Sequence, residues 1–374
     1  MEYRKLGRTG LDVSAVGLGT EYLNKRPRDT VISVIHAGIQ AGVNYFDMVF
    51  SFPEYRDNLG AAFQGFRDRV LLAGHICTAE TKGHYRMSRE VKENEALFHD
   101  LLTRLHTDHV DVLFIQMVNS MADFEEIMDA GGIMELAQRL KQQGKARFIG
   151  MSGHRTPAAL AAVQSGMVDV WMFPINLAWD LGPGRKAVFE ACAGAGVGLV
   201  AMKPFAGGKL FKQKDRGVVT PVQCLHYVLS QRGVVTAVPG VKSLKELNAA
   251  LHYAEATAEE KDFSPILEAF QQDVSGNCVY CNHCAPCSSG IDIGNVMRKL
   301  DQALQRVQDK LQGPQGLGDR LSFYYPPHIR SSLGKHGASS APPSACTECG
   351  ECMERCPFDV DIIARMKMAG QFFG

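Results

Sequence analysis

The sequence predicts an α/β protein: a (β/α)8 TIM barrel followed by a small cysteine-rich domain. Two observations carry that expectation. Short apolar runs alternate with segments of helical apolar spacing over about 250 residues, the length of one such barrel. Eight of the eleven cysteines then fall in two tight blocks near the C-terminus. A doubly wound sheet is the competing architecture, but no Gly-x-Gly-x-x-Gly turn follows the first apolar run.

The eight runs are Val16–Leu18, Val43–Phe46, Val70–Ala73, Val110–Ile115, Arg147–Met151, Val170–Phe173, Gly198–Met202 and Val234–Val238. Helical spacing marks Thr30–Ala41, Ser88–Leu105, Ile133–Gln143, Pro157–Ser165, Arg185–Ala193 and Pro221–Ser230. The reading therefore places the barrel at residues 1–255, a linking helix at 256–275 and the cysteine-rich domain at 276–374, with an insert at 291–345.

The first cysteine block is Cys278, Cys281, Cys284 and Cys287; the second is Cys346, Cys349, Cys352 and Cys356, followed by Pro357. A C-x2-C-x2-C run folds three thiolates round one corner of an iron–sulfur cube, and the fourth ligand comes from elsewhere. The second block matches the bacterial ferredoxin run, whose last cysteine ligates the other cluster. Two such blocks predict a ferredoxin-like domain with two 4Fe–4S clusters and crossed ligation. Cys278, Cys281, Cys284 and Cys356 hold one, and Cys346, Cys349, Cys352 and Cys287 the other. The first block departs from the run, with two residues before Cys287 and Ser288 where proline is usual. The rival reading is two zinc sites, but zinc knuckles separate their cysteine pairs by a long gap. A disulfide framework is the weakest option: the N-terminus has no apolar signal core, which predicts a reducing, cytoplasmic setting. Of the other cysteines, Cys192 and Cys224 read as small buried apolar residues, and Cys77 is likewise isolated.

Composition narrows the partners. The 374 residues carry 40 basic and 40 acidic side chains with no long run of either sign, which argues against nucleic acid. No stretch of about 18 apolar residues occurs, so no membrane span is expected. A small-molecule substrate and a redox partner protein are the expected partners.

Several strands end on a polar side chain: Asp47, His75, Gln116, Ser152, Asn176 and Lys203. A barrel of this kind builds its active site at the C-terminal strand ends, so these residues are expected to share one mouth.

At this point the chain resembles an aldo/keto reductase of the subgroup with a C-terminal ferredoxin-like extension. The resemblance rests on Tyr3-Arg4-Lys5-Leu6-Gly7-Arg8-Thr9-Gly10-Leu11, Val16-Gly17-Leu18-Gly19-Thr20, Asn44-Tyr45-Phe46-Asp47, Ile149-Gly150-Met151-Ser152, Met202-Lys203-Pro204-Phe205-Ala206-Gly207-Gly208 and Val238-Pro239-Gly240. It implies NADPH across the mouth, held by Ser152, Asn176, Lys203, Pro204, Gly207, Gly240, Lys242, Lys245 and Asn248. Two glycines after Lys203 allow close backbone approach to a phosphate. The start of the helix after Gly240, with its free backbone N–H groups, Lys242 and Lys245, suits a 2′-phosphate.

The resemblance also exposes departures. Gly153 stands where the family has an asparagine or aromatic residue, and Met172 where it has glutamine. Of the family's Asp, Tyr, Lys and His at strands two to four, only Asp47 survives. The tyrosine position falls on Phe52, the lysine on His75 and the histidine on Gln116. Phenylalanine has no proton to give, so the usual carbonyl reduction cannot run by the usual route. His75 beside Asp47 is the expected general acid, because a carboxylate fixes an imidazole's tautomer and favours its protonated form. Tyr55, three residues past the vacated position, His154 and the His84-Tyr85 pair are further candidates.

The expectation is a cytosolic iron–sulfur oxidoreductase acting on a small organic substrate of the carbonyl or a related class, NADP(H)-linked and with a non-standard tetrad. A flavin is the other reading of the mouth, since it would reconcile two-electron hydride with one-electron clusters. The alternative is an electron-transfer or structural module whose barrel has lost reductase activity. The insert between the cysteine blocks, with a helix at about Asn295–Leu311, the Phe323–Pro327 run and a Gly/Ser/Pro-rich linker at Lys335–Ser344, could cover the mouth or dock an electron partner.

Overall fold

The computed structural model describes the chain except residues 82–83, 179, 181–183, 209, 213–218, 268–277, 279–283, 285, 312–340, 357–359 and 374. Cys281, the Phe323–Pro327 run, part of the linker and the later part of the linking segment therefore lie outside the described residues, as do the side chains of His84 and Tyr85. The chain divides into two units, Met1–Ala269 and Phe270–Gly374.

In the first unit, β1 (Tyr3–Lys5) and β2 (Asp12–Ser14) form an antiparallel hairpin that the sequence reading did not anticipate. Its turn drives Leu6 and Leu11 into the core beside Val112, Val170 and Val200. Gly7 sits at φ +51°, and a Cβ there would lie 2.4 Å from the Gly198 amide nitrogen. The hairpin thus closes against the start of a barrel strand, an approach only glycine permits.

The barrel strands are β3 (Leu18–Gly19), β4 (Tyr45–Met48), β5 (Leu71–Ile76), β8 (Val110–Ile115), β9 (Ala146–Ser152), β10 (Val170–Pro174), β11 (Gly198–Met202) and β12 (Val234–Val238), each parallel to the next. Ring closure comes from the first and last strands. The Gly17 amide donates to the Ala237 carbonyl at 2.9 Å and Gly19 to Pro239 at 3.0 Å. The first strand is shorter than expected, with Val16 held by a single bridge to Ala237. Tyr45, Val112, Phe114, Val170 and Val200 fill the interior. Gly150 makes room for Phe114, whose ring would lie 2.6 Å from a Cβ there.

The helices follow local signals. They are α1 (Arg28–Gln40), α2 (Pro53–Phe63), α3 (Val91–Arg104), α4 (Met121–Met128), α5 (Ile133–Gln142), α6 (Thr156–Gln164), α7 (Lys186–Ala195), α8 (Pro221–Leu229), α9 (Leu244–Leu251) and α10 (Ala258–Lys261). In α5, Ile133, Leu136, Ala137 and Leu140 recur at one-face spacing and are buried. A capping box between Thr220 and Gln223, with Pro221 in the first turn, starts α8. The expected helix at Ser88–Leu105 begins only at Val91, because Glu90 caps it and the preceding residues form a hairpin, β6 (Thr78–Thr81) with β7 (His84–Met87). Helix α4 was not foreseen; Ser120 caps it by accepting from the Asp123 amide at 3.1 Å.

The second unit contains α11 (Ile293–Leu311), α12 (Glu351–Glu354) and α13 (Ile362–Phe373). Ile293, Val296, Met297, Leu300 and Ala303 form the buried stripe of α11, which packs on α13 through Ile362, Met366 and Ala369. Asp301 and Arg365 pair across that contact. No helix among the described residues is long and apolar enough to cross a membrane.

Candidate active site at the barrel mouth

Asp47 is the penultimate residue of β4 and pairs with Ala73 of β5, and His75 lies two residues further along β5. Their side chains meet: His75 Nε2 lies 2.6 Å from Asp47 Oδ1. The imidazole is 2% exposed and the carboxylate 11%. A carboxylate accepts, so the Nε2 hydrogen points at Asp47 and Nδ1 is left as the other ring nitrogen. Nδ1 is buried and has no hydrogen-bond partner among the described residues. The ring stacks on Phe114, with centroids 5.0 Å apart.

Gln116, just past β8, turns its amide to the Thr78 hydroxyl and the Val49 carbonyl. Phe52 stands immediately before α2 and packs edge-on against Phe50 at 5.1 Å. Tyr55 does not swing into the vacated tyrosine position. It is buried, and its phenol lies 2.5 Å from the Thr20 hydroxyl, which itself donates to the Asp47 carbonyl at 2.7 Å. Thr20 spends its hydrogen on Asp47, so Tyr55 donates to Thr20. Burial pushes the phenol's pKa well up. Tyr55 therefore holds the backbone behind Asp47 and offers no mobile proton.

On the cofactor side, Ser152 ends β9 and is buried. Asn176 is 0% exposed. Its amide donates to the Lys203 carbonyl at 3.2 Å and its oxygen accepts from the Ala178 amide at 3.2 Å. It ties two loops together with one amide hydrogen and one oxygen lone pair. Lys203 adopts φ +57° and brings Nζ to 3.0 Å from His154 Nε2. The tautomer of His154 follows from its surroundings. Asn119 Oδ1 accepts the His154 backbone amide at 2.9 Å and also faces Nδ1 at 3.0 Å. Nδ1 therefore donates, Nε2 accepts, and Lys203 presents an ammonium beside a neutral imidazole.

Pro204 is buried, and the exposed Gly207 follows at φ +70°. The start of α9 differs from expectation. The Lys242 amide donates to Glu246 Oε2 at 2.7 Å and the Glu246 amide to Ser243 Oγ at 3.3 Å. These backbone donors are not free, because the helix caps itself with its own glutamate. Lys242, Lys245 and Asn248 all remain exposed. Tyr22 lies over Gly240, where a Cβ would sit 2.6 Å from its ring, and Lys242 Nζ is 5.3 Å from the ring centroid.

Three mouth residues escaped the sequence reading: Glu21, Tyr22 and Asn119. Desolvation raises the Glu21 pKa; Lys203 opposes that shift and Asp47 adds to it, although the residue as a whole stays exposed at the rim. Glu21 lies two residues past the first barrel strand, so the strand-end rule could have found it. Gly153 also gains a reason. A Cβ there would fall 2.0 Å from the Val118 carbonyl oxygen, leaving no room for the family's larger residue.

The described cysteines of the second unit form no disulfide with one another. Cys287, Cys346, Cys349 and Cys352 line one recess of about 350 Å³, partly open to solvent, together with Ile291, Ile293 and Met366. No three metal-binding side chains among the described residues converge on a single-ion site. A cube bound at four corners spreads its ligands wider than one ion does. Cys278 and Cys356 are half-buried and Cys284 is buried. In the barrel, burial raises the Cys77 thiol to about 11 and Cys192 and Cys224 to about 12, which leaves them unreactive.

Comparison with known proteins agrees with the barrel's architecture. L-galactose dehydrogenase of Arabidopsis thaliana is 24% identical over 317 residues, covering 73% of this chain and 95% of that protein. An uncharacterised oxidoreductase of Bacillus subtilis is 24% identical over 311 residues, covering 73% and 98%. The solved structure of an aldo-keto reductase from Bacillus halodurans, in its holo form, superposes with a TM-score of 0.61 at 22% identity, covering 72% of this chain and 96% of that one. The Aldo/keto reductase family profile matches residues 15–219, more than half of the chain. The chain therefore belongs to the aldo/keto reductase family and is an oxidoreductase of that type.

Proposed function

We propose that this chain is a cytoplasmic, NADP(H)-linked iron–sulfur oxidoreductase that acts on a small organic substrate, carbonyl-type or related, with His75 and Asp47 managing the proton. The observation that carries the reading is the buried pair at 2.6 Å with His75 Nδ1 left unpartnered. A buried polar atom without a partner costs about 1–3 kcal/mol, which a purely structural histidine would avoid. An imidazole held by a carboxylate can carry a proton at Nδ1 and hand it to a substrate oxygen. Asp47 stabilises the charged ring while it does so. Gln116 and Phe52, in the family's histidine and tyrosine positions, border the same strands; neither can supply a proton.

A nicotinamide would supply hydride in such a mouth. Lys203, the exposed turn at Gly207, and Lys242 with Lys245 and Asn248 suit its phosphates and adenosine. Glu246 holds the Lys242 amide just before α9, and the exposed ammonium groups of Lys242 and Lys245 suit the 2′-phosphate. In the second unit, the recess lined by Cys287, Cys346, Cys349 and Cys352 suits one 4Fe–4S cluster, the ligand set that the spacing predicts. Cys278, Cys281, Cys284 and Cys356 would hold the second. Such clusters move single electrons to or from a redox partner.

The test is turnover of a panel of small aldehydes and ketones by anaerobically purified protein with NADPH. His75→Ala should lose about 10²–10⁴ in rate while binding the nucleotide as before. Full turnover in His75→Ala would remove the acid from this assignment. Calorimetry that detects neither NADPH nor NADH would remove the cofactor.

A further inference from the structure

Proline usually follows the last cysteine of a ferredoxin run, whereas Ser288 follows Cys287 here. The fold gives that departure a partner. Ser288 Oγ lies 3.6 Å from Cys349 Sγ, within hydrogen-bond reach of sulfur and 61 residues away in sequence. A metal-bound thiolate carries no proton, so in that state the hydrogen belongs to serine and Ser288 donates. We propose that Ser288 sets the reduction potential of the cluster held by Cys287, Cys346, Cys349 and Cys352 through this bond to the Cys349 sulfur. The inference rests on the cluster reading given above.

Reduction adds one electron to the cluster from an external one-electron carrier. No bond forms or breaks, and the added charge spreads onto the ligand sulfurs. A hydroxyl aimed at one of them stabilises the more negative state more, so the potential rises. Ile291, Ile293, Ile363 and Met366 line the same recess, while the Ser288–Cys349 contact itself lies at its solvent-exposed edge. The Glu351 carboxylate, an opposing charge, lines the same recess.

The bond needs the turn at Ser288 held against the second cysteine block, and Arg355 does that. Its Nη2 donates to the carbonyls of Cys284 at 3.0 Å and Pro286 at 2.6 Å. One guanidinium thus clamps the end of the first block to the residue after α12. Proline at position 288 would keep a tight turn but carry no hydroxyl.

The experiment is a redox titration of the anaerobic full-length chain, followed by electron paramagnetic resonance, with the signal of this cluster identified by its loss in Cys346→Ser. Ser288→Ala and Ser288→Pro should move that midpoint to more negative potential and leave the other cluster's midpoint in place. Ser288→Thr, which keeps the hydroxyl, should keep the wild-type midpoint. An exchangeable-proton coupling at the cluster should be present in wild type and Ser288→Thr and lost in Ser288→Ala. An unmoved midpoint in Ser288→Ala at full iron content would overturn the role of Ser288 and leave the cluster standing. Wild-type protein without iron and acid-labile sulfide would overturn both.

Discussion

Removing Asp47 and His75 together should cost less than the two single removals add up to, and a double-mutant cycle measures that difference. Both groups are buried, and the 2.6 Å contact is charge-assisted once Asp47 is ionised. His75→Ala loses the ring's stacking on Phe114, worth about 0.5–1.5 kcal/mol, and leaves a carboxylate without its donor. Breaking a buried pair from one side typically costs about 3–5 kcal/mol, and the 11% exposure of Asp47, which admits some water, places this case near the lower bound. Asp47→Ala leaves His75 with both ring nitrogens unpartnered in the same buried space. In Asp47→Ala/His75→Ala neither orphan remains, so the two single costs should exceed the double by about 1.5–3 kcal/mol, the net worth of a hydrogen bond to a charged group. Urea unfolding followed by tryptophan fluorescence is the assay. The chain has two tryptophans, Trp171 and Trp179, and both belong to the barrel unit, so the signal reports that unit. Additivity within about 0.5 kcal/mol would mean the two groups are not coupled, and the proton assignment built on them would fall with it.

Other predictions concern separate parts of the molecule. Burial raises the Asp180 carboxyl to about 6 against an opposing Arg185. A raised carboxyl pKa means the native state holds its proton longer than the unfolded chain. Stability should therefore fall by up to about 3 kcal/mol as pH rises from about 4 to about 6, and Asp180→Asn should remove that part of the slope. Lys242→Ala should weaken NADPH more than NADH by about 1–3 kcal/mol in calorimetry, since its ammonium is exposed beside the α9 start; equal losses would place the 2′-phosphate elsewhere. The anaerobic chain should bind about eight irons and eight sulfides, and Cys352→Ser and Cys287→Ser should lose the same cluster because they line one recess. Stoichiometric zinc with no acid-labile sulfide would contradict it.

Much of this protein could be read from local patterns. Period and spacing mark strands and helices because each element buries its own apolar face, so all eight barrel strands were legible. Cysteine spacing is equally local, and the four residues expected to share a cluster do line one recess. Strand-end position alone brought Asp47 and His75 into the mouth. What sequence could not supply depends on which strand lies beside which, and at what register. Asp47 pairs with Ala73, so His75 two residues on faces the same way and reaches the carboxylate. That Asn176 also ties two loops together shows only once the barrel is closed, and Tyr55 looked free until Thr20, just past the first strand, met its phenol. Tyr22 reaches Gly240 only because the first and last strands join to shut the ring. Hydrogen bonds and steric contacts act over a few ångströms, whereas these partners stand tens to hundreds of residues apart in the chain. Only the closed tertiary structure decides which polar groups are spent on one another and which are left for chemistry.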